Sequence, residues 1–137
     1  MTNRAPRYVL DSYALLVYLQ REQSAERVRG FLRAAQRGQA SLSLCMVNLA
    51  EVLYLLERRR GSEAARDALV VLQQELPIQM APADLLLSLN AAHLKASYPI
   101  ALADCYVAAL AQQLGATVLT GDPDFARLEN VVSIEWL

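Results

Sequence analysis

The chain has 137 residues, 55% of them hydrophobic and 20% charged, with a formal net charge of -1. A chain of this length buries about two-thirds of its unfolded surface, which suits one globular domain over residues 1–137, and its composition excludes disorder. The near-neutral balance argues against a general nucleic-acid coat protein, and no run reaches the roughly 18 uncharged apolar residues of a membrane span.

In chain order, short apolar pieces alternate with longer helical patterns. "RYVLD" reads as a first strand over Arg7 to Leu10, with Asp11 directly after it. "ALLVYLQ" begins a helix, and "SAERVRGFLRAAQRG" gives another, with Ser24 as its N-cap and Gly38 as its stop. "ASLSLC" is a second strand, followed by the helix "VNLAEVLYLLERRRG", which Gly61 closes. Ser62 then caps "SEAARDALVVLQQEL". "PIQMAP" is a short strand between prolines, and "ADLLLSLNAAHLKASY" and "IALADCYVAALAQQLGA" are two further helices, the second stopped by Gly115. "TVLTGDPDF" is a strand running into a turn, and "NVVSIEWL" is a last short strand. Strands alternating with helices predict an α/β fold, a parallel sheet covered on both faces.

Lys95 is the only lysine, against twelve arginines. Arginine suits bidentate phosphate and carboxylate contacts, although high-GC genomes produce the same bias. Arg29, Arg33 and Arg37 repeat at helical spacing, and Arg58, Arg59 and Arg60 end the glutamate-bearing helix. Solvated faces and dipole complementation account for both sets as well as phosphate contact does. Cys45 and Cys105 form no zinc pattern and read as buried, reduced thiols. Asp11 interrupts the only candidate signal-peptide run, so the expected location is the cytoplasm.

Functional groups of open parallel sheets gather at the carboxyl ends of the strands. Asp11 and Asp122 both follow strands, which brings them to one edge. Glu51 is the only charge from Met46 to Leu56, and Asp104 the only one between Ile100 and Leu114. A helix dipole also accounts for an aspartate in a first turn, and an outer helical face also accommodates a glutamate. Clustered carboxylates raise one another's pKa values unless a cation intervenes, and an all-oxygen set suits Mg²⁺ or Mn²⁺. The single histidine, His93, reads as a helix-surface residue, so a histidine zinc site is not expected. No Walker loop, GxGxxG stretch or serine–histidine–acid arrangement is present. Acid-rich Mg²⁺ sites typically serve phosphoryl chemistry.

"VLDSYALLVYL", "NLAEV" and "LADCYVAALAQQLGATVLTGDPDF" together resemble the PIN-domain ribonucleases, especially the VapC-like toxins of toxin–antitoxin pairs. The resemblance spans nearly the whole chain. It implies a three-layer α/β/α fold around a parallel sheet of about five strands. It also implies an endoribonuclease whose Asp11, Glu51, Asp104 and Asp122 hold one or two Mg²⁺ or Mn²⁺ ions. Metal-activated water would then cut RNA to leave 5′-phosphate and 3′-hydroxyl ends. Ser12 and Thr120 match small hydroxyl positions beside the site, and Asn48 matches the polar residue one turn before the glutamate. An antitoxin partner and a homodimer follow from the same resemblance. Cys105 stands where the family usually has alanine. Asp124 adds a carboxylate beyond Asp122 and reads better as a cap before "FARL", with Asp122 facing the metal. The rivals are another Mg²⁺-dependent phosphohydrolase and a non-catalytic RNA- or protein-binding module. A dehalogenase-type phosphatase needs D-x-D after the first strand, where "DSY" lacks the second aspartate, and Lys95 is misplaced for a receiver domain.

Overall fold

The computed structural model describes residues 4–137. The apolar runs become β1 (Arg7–Leu10), β2 (Ser41–Cys45), β3 (Ile78–Ala81), β4 (Thr117–Thr120) and β5 (Ile134–Trp136). All neighbouring strands are parallel, in the order β3-β2-β1-β4-β5. Parallel strands need crossovers. Helices α1 (Ser12–Leu19) and α2 (Ala25–Gln36) join β1 to β2, and α3 (Met46–Arg60) and α4 (Ser62–Gln74) join β2 to β3. Helices α5 (Leu85–Ser97) and α6 (Leu102–Leu114) join β3 to β4, and a 3-10 segment, Pro123–Leu128, precedes β5.

Alternation along the strands divides the core into layers. Val9, Cys45 and Val118 pack with α5, α6 and Phe125 on one face. Leu10, Leu44 and Leu119 pack with α1, α3 and α4 on the other, and Leu42 joins Val17, Val28 and Leu32 beneath α2. The three-layer α/β/α architecture with five parallel strands is therefore as expected. Both cysteines are free and buried, and burial pushes both thiols upward in pKa. His93 is exposed on α5. Among the described residues no helix is long and apolar enough to cross a membrane.

At α2 and α4 the caps differ from expectation. Ser24 adopts a left-handed conformation, φ 78°, and its side chain makes no capping bond to α2. A capping hydroxyl needs extended backbone at that position to reach the amides of the first turn. The N-cap of α4 is Gly61 rather than Ser62, which is already helical. A single residue separates α3 from α4, so Gly61 closes one helix and opens the next, and its φ of 93° favours glycine.

Candidate metal centre

The sheet grows to one side of β1 through β2 and β3, then to the other through β4 and β5. At such a reversal the connections leave the carboxyl ends in opposite directions and open a crevice. Asp11 follows β1 and Asp122 follows the end of β4, and the Leu10–Leu119 pairing sets the two strand ends side by side.

Asp11 is buried, 2% exposed, and is the N-cap of α1. Its Oδ1 accepts the N–H of Ala14 at 2.8 Å, and its Oδ2 accepts the hydroxyl of Thr120. Thr120, fully buried, also accepts the N–H of Asp122 at 2.9 Å, so one hydroxyl ties both strand-end aspartates together. Glu51 lies in the second turn of α3 and accepts the hydroxyl of Ser12. Asn48, one turn earlier and fully buried, lies 3.5 Å from Ser12 Oγ and 3.3 Å from the carbonyl of Ala103 through Nδ2. It thereby links α3 to the residues beside Asp11 and Asp104, while its Oδ1 has no hydrogen-bond partner among the described residues. Asp104 occupies the first turn of α6.

The expected cap role of Asp124 belongs instead to Asp122, whose Oδ1 accepts the Asp124 N–H at 2.9 Å. Pro123 has no amide hydrogen, so the first donor after Asp122 is that of Asp124. Asp124 itself borders the other acids. Single carboxylate oxygens of Asp104, Asp122 and Asp124 lie within 4.8 Å of one another. Asp11 and Glu51 lie outside this tight group but line the same open cleft of about 280 Å³. Asp124, expected only as a cap and supporting carboxylate, stands in the tight group, and beyond the expected residues the cleft includes the aromatic ring of Tyr13. The sequence signals for these were the proline between two aspartates and a tyrosine two residues after Asp11.

Electrostatics are unfavourable for the side chains alone. Asp11 is raised from 3.8 to about 7, chiefly by burial and then by the charges of Asp104 and Asp122, against the lowering effect of its bonds from Thr120 and Ala14. Asp104 is also raised to about 7, by burial and then by Asp122, Glu51 and Asp124. No lysine or arginine lines the cleft among the described residues. The donor set is all oxygen, closely spaced, and matched by no side-chain cation, which fits a hard divalent ion such as Mg²⁺ or Mn²⁺.

A family model described as the PIN domain matches residues 8–131. No curated protein sequence matches the chain. Solved structures share its fold at low identity. The VapBC2 complex of Rickettsia felis, bound to a DNA fragment from its promoter, superposes with a TM-score of 0.74 at 16% identity, covering 94% of this chain and 97% of the other. Mycobacterium tuberculosis VapC20, a sarcin–ricin-loop-cleaving toxin, gives 0.68 at 17% identity, over 88% and 92%. FitAcB of Neisseria gonorrhoeae gives 0.65 at 23% identity, over 93% and 95%.

Proposed function

The chain belongs to the PIN domain family, and on that premise we propose that it is a divalent-cation-dependent endoribonuclease, the toxin of a toxin–antitoxin pair. The observation that carries this reading is the convergence of five carboxylates on one cleft at the β1–β4 reversal, three of them within 4.8 Å. Asp104, Asp122 and Asp124 would hold the ion, with Asp11 and Glu51 completing the charge around it. A bound divalent cation supplies Lewis acidity toward water and toward a phosphoryl oxygen.

The chain's own residues orient the set. Thr120 fixes the carboxylate of Asp11 through its hydroxyl and the backbone of Asp122 through its oxygen. Ser12 orients Glu51, and Asn48 keeps α1, α3 and the start of α6 in register. A phosphodiester laid across these acids needs its charge offset, which no side chain lining the cleft provides. An antitoxin partner is supported by the VapBC complexes that share this fold. A homodimer is supported by the exposed leucines Leu85, Leu86, Leu89 and Leu102 of the packed pair α5 and α6. Action in the cytoplasm, by residues 1–137 as one domain, completes the reading.

The test is incubation of total cellular RNA with purified protein in Mg²⁺ or Mn²⁺, with EDTA and Asp104→Asn controls and mapping of the ends. Discrete cuts leaving 5′-phosphates, abolished by both controls, are expected. Absence of cutting, together with absence of Mn²⁺ binding that depends on Asp11 and Asp104, would leave a binding module instead.

A further inference from the structure

Among the described residues no cationic side chain lines the acidic cleft, so beyond the ion proposed above, affinity for a polyanion draws on contacts that carry no charge. Tyr13 is the one aromatic residue among those lining it, and it is 42% exposed. Its ring also lies directly against Gly121. A Cβ added at Gly121 would come within 2.4 Å of Tyr13 Cε1 and 3.0 Å of Cζ, so the ring occupies the space a side chain at position 121 would fill. The seat joins the first turn of α1 to the residue between Thr120 and Asp122. One side of the ring is thus backed by the end of β4, and the exposed remainder borders the acids.

We propose that Tyr13 is the base-stacking residue of this cleft: the nucleobase next to the scissile phosphate lies on its exposed surface, and Gly121 leaves the room in which the ring sits. This rests on the ribonuclease reading above. A nucleobase offers a flat π-surface that stacks on tyrosine without regard to charge. Tyr54 is a useful contrast. It is 49% exposed on α3, but its ring already carries the guanidinium of Arg58, 5.5 Å from its centroid, and it does not line the cleft.

The experiment measures binding of a fluorescein-labelled, single-stranded oligoribonucleotide of mixed sequence by anisotropy. It uses the full chain carrying Asp104→Asn in Mn²⁺ to suppress turnover. Adding Tyr13→Ala weakens binding about thirtyfold, the middle of the range for one lost base stack. Tyr13→Phe keeps the π-surface and binds within about twofold of the parent. Tyr54→Ala leaves binding unchanged. Gly121→Ala displaces the ring and weakens binding as Tyr13→Ala does, with a melting temperature close to that of the parent because the displaced atoms are the end of a surface side chain. In the chain with Asp104 intact, Tyr13→Ala raises KM by the same factor and leaves kcat nearly unaltered. If Tyr13→Ala matches its parent in binding and KM while that parent cuts RNA, the stacking role is overturned and the nuclease stands. If the unmodified protein neither binds nor cuts RNA, both fall.

Discussion

Thr120 uses both capacities of its hydroxyl, donating to Asp11 and accepting from the Asp122 amide. Thr120→Val keeps the shape and deletes both bonds, leaving a buried carboxylate oxygen unpaired. A loss of about 1–3 kcal/mol in stability is expected from denaturant melts, with a fall in RNA cleavage of about 10- to 100-fold, as for other supporting groups of metal sites. The Asp11 pKa would rise further, because the Thr120 bond is what lowers it. Asp104→Asn should reduce cleavage by more than that, yet leave the metal-free protein at pH 8 at least as stable, because it removes repulsion from Asp122, Glu51 and Asp124. Cleavage assays and thermal melts on the same preparation check both halves. Asp11, Glu51, Asp104 and Asp122 were legible as lone charges in apolar surroundings or at strand ends. Asp124 was legible as an added carboxylate but was read as the cap, because the sequence does not show which aspartate starts the 3-10 segment.

At the scale of elements, the alternation of strands and helices was legible wherever apolar runs ended in glycine, as at Gly38, Gly61 and Gly115, all with positive φ. Capping was less so. A serine before a helical pattern does not reveal its own backbone conformation, and Ser24 and Ser62 both lack the cap bond. The cap that matters here is Asp11, which starts α1 and borders the cleft with one carboxylate. Asn in its place retains an acceptor for the Ala14 amide while losing the charge, whereas Ala loses both. Asp11→Ala should therefore be about 1 kcal/mol less stable than Asp11→Asn in denaturant midpoints, within the 0.5–2 kcal/mol range for such caps. Both variants should lose metal-dependent cleavage.

For the molecule as a whole, the raised carboxyls make stability depend on pH and on cation. Asp11 ionises near 3.8 in the unfolded chain and near 7 in the fold, so between those values the folded state holds more protons. Stability of the metal-free protein therefore falls as pH rises from about 4 to about 7 and levels off above. For Asp11 alone this is on the order of 4 kcal/mol. Melts in EDTA should show a lower midpoint at pH 8 than at pH 5, and Mn²⁺ should recover much of the difference at pH 8 through preferential binding to the fold. A midpoint that rises with pH in EDTA would contradict the crowding of acids at the cleft. The parallel order β3-β2-β1-β4-β5 has a consequence in time as well as in space. Because β1 lies beside β4, the carboxylate of residue 11 meets its partners only after residues 120, 122 and 124 exist. A chain emerging from the ribosome carries an incomplete acid set until β4 and the turn after it are made. Synthesis itself thus delays the assembly of the cleft, and an interrupted translation product ending before β4 is chemically unarmed.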